Sequence, residues 1–183
     1  MTMFLDPRGM VRHDSPLLIR PALASDAEEI AAVHVSVIRD VCGQVYEPRQ
    51  IQAWVSGKTH QGYLRAIAER RVFVALRDER VVGFSELDPK TGEVFAVYVR
   101  PDCLRQGLGG YLLQTLEACA AEHGLERLHL HATLNAIPFY EAHGFVLDAM
   151  TSFPLGPDTS LACASMHKQL VRSVKVPNGS GRC

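Results

Sequence analysis

The stretch Val97-Tyr98-Val99-Arg100-Pro101-Asp102-Cys103-Leu104-Arg105-Gln106-Gly107-Leu108-Gly109-Gly110-Tyr111-Leu112-Leu113 decides the fold. It opens as the end of a strand, stops at Pro101 and turns through three glycines. From Leu108 the residues Leu112, Leu113, Leu116 and Ala120 recur at helical spacing, and Gly124 closes that helix. The first N–H groups of a helix have no intrahelical partner and carry partial positive charge. Such a terminus binds phosphate without a cationic side chain, and Gly107, Gly109 and Gly110 would let the backbone approach an anion closely. Two other phosphate motifs do not fit. A P-loop needs GxxxxGK[ST], and no lysine follows here. A dinucleotide fingerprint needs GxGxxG at the opening of a βαβ unit; Gly107 to Leu112 breaks that pattern. A glycine-rich helix entry with no ligand is the remaining alternative.

Upstream, Val72 to Leu76 reads as a strand, followed by the charged turn Arg77-Asp78-Glu79-Arg80, a strand over Val81 to Leu87, the turn Pro89 to Gly92 and a strand over Glu93 to Val99. Three strands with short turns form an antiparallel meander. Before them, Leu17 to Arg20 is a short strand stopped by Pro21. Ser25, with Glu28 as its capping-box partner, starts a helix carrying Ile30, Val33, Val37 and Ile38. A second helical zone follows Pro48 and carries Ile51, Trp54, Val55, Tyr63, Leu64 and Ile67. Downstream come a strand over Leu125 to Ala132, a short helix over Ala136 to His143 ended by Gly144, and strands at Phe145 to Leu147 and Thr159 to Leu170. The order β-α-α-β-β-β-α-β-α-β-β is a mixed α/β layer fold. The expected division is an irregular arm over 1–16, one domain over 17–170 and a flexible tail over 171–183.

A length of 183 residues suits one domain with a sizeable core. The formal net charge of −1 gives no electrostatic footprint for nucleic acid or an anionic membrane. No apolar run approaches the roughly 18 residues of a membrane-spanning helix, and the first sixteen residues contain no secretory apolar core. The five cysteines are scattered and form no CxxC pair, as expected of reduced thiols in a cytoplasmic protein. His129 and His131 share one strand face, but no spacing supplies the third ligand that zinc requires, so no metal is expected.

The segment from Val97 to Leu113 resembles motif A of the GNAT superfamily of N-acetyltransferases. Asn135-Ala136-Ile137-Pro138-Phe139-Tyr140-Glu141-Ala142-His143-Gly144-Phe145 resembles its motif B, and the spacing between the two fits. The resemblance runs from about Leu17 to Leu170, and the segment Tyr46-Glu47-Pro48-Arg49-Gln50-Ile51-Gln52-Ala53-Trp54 further resembles a branch of small bacterial single-domain members. Two departures stand out: Leu104 occupies a motif-A position that is usually Gln or Arg, and Thr133 occupies one that is often Asn.

The resemblance implies a mixed, mostly antiparallel sheet flanked by helices, with a splayed central strand pair. It implies acetyl-CoA as cosubstrate. The pyrophosphate would lie on Arg105, Gln106, Gly107, Leu108, Gly109 and Gly110, the pantetheine arm beside Val97, Tyr98 and Val99, and Asn135 would contact the cofactor. Tyr140 matches the family tyrosine that meets the cofactor and protonates the departing thiolate; a phenol is protonated at neutral pH and can serve as an acid. Glu93 resembles the catalytic glutamate of the histone-acetylating branch, with Glu86 and a water chain as rivals for the role of base. Trp54 is either a packing anchor or a substrate platform, and His131 could line the acceptor site. The implied activity is direct transfer of an acetyl group to a small-molecule or peptide amine. A non-catalytic acyl-CoA-binding module of the same fold is the alternative. Dimers are common in such families, and a homodimer is one expectation.

Overall fold

The computed structural model describes residues 16–170. The arm expected over 1–16, except its last residue, and the tail expected over 171–183 lie outside the described residues.

Two antiparallel sheets carry the fold. The first has the order β1-β2-β3-β4 and comprises β1 (Leu18–Pro21), β2 (Arg71–Arg77), β3 (Arg80–Leu87) and β4 (Val94–Val99). The second has the order β5-β7-β6 and comprises β5 (Arg127–Thr133), β7 (Thr159–Gln169) and β6 (Val146–Gly156). The β2–β3 hairpin turns at Asp78 and Glu79, both left-handed at φ 51° and 61°. Positive φ at both central residues is what a two-residue turn needs to match strand twist.

Helices cover both faces of the first sheet. On one face, α1 (Ala27–Asp40) and α3 (His60–Glu69) bury Ile30, Val33, Val37 and Tyr63 against Val72, Val74, Val81 and Phe84. On the other lies α4 (Leu108–Glu122), whose Leu108, Leu112, Leu113, Leu116 and Ala120 are all essentially inaccessible. These reach Ala75, Val82 and Val99 in the first sheet and Leu128, Leu130 and Met166 in the second, so α4 joins the two sheets through one apolar stripe. Each fully buried leucine contributes about 1.5–3 kcal/mol through surface removed from water. The short helix α5 (Ile137–Ala142) ends at Gly144, with φ 84°.

Three elements differ from the sequence reading. The second helical zone is two helices, α2 (Pro48–Ser56) and α3, because Gly57 ends the first and the Thr59 hydroxyl accepts the Gly62 N–H to start the second. The first helix is not capped by Ser25. Asp26 stands at the N-cap position without a side-chain cap bond to α1; its carboxylate turns back, accepting the Leu23 N–H at 2.7 Å and holding Arg20 with two bonds of 2.7 and 3.0 Å. The strand expected over Phe145 to Leu147 continues to Gly156 as β6, an exposed sheet edge on which Val146, Leu147, Met150 and Phe153 face solvent. Among the described residues no helix is long and apolar enough to cross a membrane.

Candidate active site

The two sheets meet at one point. Glu93 and His129 form a parallel bridge, and the His129 N–H donates to the Gly92 carbonyl at 3.1 Å. Beyond it β4 and β5 belong to different sheets, and among the described residues no strand fills the wedge between them. The open edge of β4 can be assigned from its register. Arg100 N–H bonds the Val82 carbonyl on β3. Because polar groups alternate in direction along a strand, Tyr98 also turns its amide toward β3, and Val97 and Val99 turn theirs toward the wedge. An extended chain could add there as a strand.

The glycine turn lies at the end of β4. Arg105 and Gly107 are left-handed at φ 58° and 79°. Among the described residues, no backbone carbonyl takes the N–H groups of residues 105–110, so the start of α4 presents a run of free donors suited to an anion. Arg77 braces the turn by donating to the Gln106 side-chain oxygen at 2.8 Å. The three glycines divide their work. Gly107 supplies the left-handed bend. A Cβ on Gly109 would stand 3.1 Å from the Phe139 ring, and one on Gly110 would stand 3.0 Å from the His143 imidazole. These two glycines let α4 and α5 pack closely, a role the sequence reading did not give them.

On α5, Tyr140 is buried between the rings of Phe139 and Phe145, at centroid distances of 5.0 and 5.4 Å. Burial raises its phenol above the ordinary value, so it is protonated at neutral pH. The hydroxyl has no hydrogen-bond partner among the described residues. Among the described residues the fully enclosed side-chain polar atoms without a partner are His34 Nε2 and Ser85 Oγ. Asn135 is exposed on the turn before α5.

On the other side of β4 is a cavity of about 250 Å³. Glu93, Tyr98 and His131 line it, and so does Trp54, which is also buried against the rings of His34 and Tyr46. Trp54 is thus both an anchor and a wall. The two glutamates differ in their surroundings. Glu86 is buried and engaged in an ion pair with Arg70. Glu93 is half-buried, lines the cavity and has no ion pair among the described residues. Tyr140 does not line this cavity; it packs in the core cluster that includes Val94, Leu113 and Phe145.

Two cavity residues escaped the sequence reading. His34, on α1, is 4% exposed and shares a short hydrogen bond through Nδ1 with the Tyr63 hydroxyl. Its ring lies 4.0 Å from that of Tyr98. Desolvation, with a smaller push from Lys58, holds it well below the ordinary histidine range and therefore neutral. The signal was present, since His34 falls within the apolar stripe of Ile30, Val33, Val37 and Ile38. Lys58, in the α2–α3 connection, also lines the cavity. Burial lowers its ammonium below the usual lysine value, and the field of Glu86 opposes that shift. Nothing in its sequence context marked it.

A family model described as an acetyltransferase (GNAT) domain matches residues 68–147, which span β2 through α5 to the start of β6. The chain is similar to a GCN5-related N-acetyltransferase from Rhodopseudomonas palustris at 27% identity, over 93% of this chain and 99% of that one, with a TM-score of 0.77. It shares its fold with the PaiA N-acetyltransferase of Thermoplasma acidophilum, solved with coenzyme A, at 20% identity over 84% and 99% of the two chains and a TM-score of 0.72. It also shares it with YncA of Salmonella typhimurium, solved with acetyl-CoA, at 20% identity over 86% and 95% and a TM-score of 0.65. No curated protein matches the sequence.

Proposed function

We propose that this chain, a member of the GNAT superfamily of acetyltransferases, transfers an acetyl group from acetyl-CoA directly to the nitrogen of an amine. The observation that carries this reading is the wedge between β4 and β5. It has free strand amides along one side, free helix amides at one end and a carboxylate-bearing cavity beside it.

In this reading the amides of residues 105–110 hold the pyrophosphate. The β4 edge at Val97 and Val99 holds the pantetheine arm, with Tyr98 on the same strand facing the cavity. Asn135 contacts the cofactor from the turn before α5. The thioester carbonyl then lies beside a strand amide that stabilises the negative oxygen formed on attack. The amine enters through the cavity and must be neutral to attack. Glu93 takes its proton, directly or through water. The nitrogen–carbon bond forms, the carbon–sulfur bond breaks, and Tyr140 donates its proton to the leaving thiolate. Glu86 suits the base role less well, because its carboxylate is already committed to Arg70.

A panel of amines, assayed for free thiol released from acetyl-CoA, tests the reading. Release above the rate of hydrolysis, with acetylated amine as product, supports it. Tight acetyl-CoA binding with no release for any amine would instead point to a non-catalytic acyl-CoA-binding protein.

A further inference from the structure

Charge is left over in the cavity after internal pairing. Four formal charges line it: Arg70, Lys58, Glu86 and Glu93. Arg70 and Glu86 neutralise each other, and the Arg70 guanidinium carbon also stands over the Phe95 ring, 4.0 Å from its centroid. That leaves one cation and one anion with no ion pair among the described residues. Lys58 is on the helical wall and Glu93 is on the strand wall. Lys58 lines the cavity from the α2–α3 connection. His34, which also lines the cavity, keeps its Nε2 fully buried with no partner among the described residues.

The cavity is small. About 250 Å³ falls below the roughly 300–1,000 Å³ of sites for drug-sized molecules, and its walls include the rings of Trp54, Tyr63 and Tyr98. A compact molecule with both charges and an apolar body matches this lining.

We propose that the acceptor is a small zwitterion of the amino-acid type, whose carboxylate pairs with Lys58 while its amine is directed to Glu93. The proposal rests on the acetyl-transfer reading above for the amine's fate, but not for the carboxylate's recognition. Of the charged residues lining the cavity, Lys58 alone offers an unengaged cation. A charge-assisted bond there would be stronger than one in water, because the ammonium is partly desolvated. An amine lacking the carboxylate would leave that ammonium unpaired.

The test uses the whole protein and matched probes: L-leucine and L-phenylalanine, each beside its carboxamide and its decarboxylated amine. Binding is read from the fluorescence of Trp54, the chain's single tryptophan and a wall of the cavity, with CoA present. Turnover is read separately as thiol release from acetyl-CoA. At least one of the two amino acids is expected to bind about tenfold or more tightly than its carboxamide and its amine. Lys58→Met should erase that preference without changing acetyl-CoA affinity, and Lys58→Arg should keep most of it. Equal binding of acids, amides and amines by the wild type, or a preference unaltered in Lys58→Met, would overturn the proposal, as would the absence of binding by every probe. Failure of thiol release alongside carboxylate-selective binding would overturn the transfer reading and leave this one standing.

Discussion

Glu93 and His129 form the bridge from which the two sheets diverge, so the proposed base stands at the apex of the proposed cofactor wedge. Glu93→Gln keeps the shape of the side chain and removes the charge. It is expected to lower turnover by roughly 10²- to 10⁴-fold, most at low pH where free-base amine is scarce, and to leave acetyl-CoA affinity nearly intact. A pH–rate profile of the variant matching the wild type would move the role to Glu86 or to water.

Tyr140→Phe removes one oxygen from a ring packed between Phe139 and Phe145. Stability and acetyl-CoA affinity should hold. Turnover should fall about 10- to 10³-fold, and a thioester with a more acidic leaving thiol should recover part of the loss. An unchanged rate, with chemistry shown to be limiting, would make Tyr140 a packing residue.

Gly109 and Arg77 should respond differently to substitution. Valine at position 109 is directed into the Phe139 ring. It should cost about 1–3 kcal/mol of stability through overpacking, seen as a lowered Tm. Arg77→Ala removes only the brace on Gln106. It should weaken acetyl-CoA binding several-fold with Tm little changed. Calorimetry beside thermal melts separates the two, and the account of the turn fails if Gly109→Val melts like the wild type.

The pH dependence of stability should carry the signature of His34. Burial holds its folded-state pKa well below the ordinary value. The unfolded chain therefore binds more protons once the pH falls below about 6.5, and stability drops from there downward. His34→Gln should flatten the profile between about pH 5 and 7. Denaturant melts across that range check it, and an equally steep profile in the variant would assign the loss to another group.

Much of the fold was legible because its signals are local. The stripe of α4, the meander turns and the closing glycines 124 and 144 each depend on a few consecutive residues. The errors came from competition between neighbours. Ser25 does not cap α1 because it lies inside a 3-10 turn, Ala24–Asp26, which is tied back to Arg20 through the Asp26 carboxylate. The extended β6 was missed because its residues are largely exposed and its pairing with β7 is set by tertiary contact. The site divides in the same way. The turn and Tyr140 lie in contiguous motifs. The cavity is assembled from α1, α2, the α2–α3 connection, α3 and both sheets, so His34 and Lys58 became candidates only once the chain was folded.

The most direct measurement is a single turnover with radiolabelled acetyl-CoA, enzyme in excess, quenched at short times in the presence of an acceptor found in the amine panel. The account predicts that label passes from CoA to the acceptor nitrogen at the rate of thiol release, with no labelled protein at any time. Label that stays on CoA while the acceptor is bound, or that appears first on the protein, would contradict direct transfer within the wedge between β4 and β5.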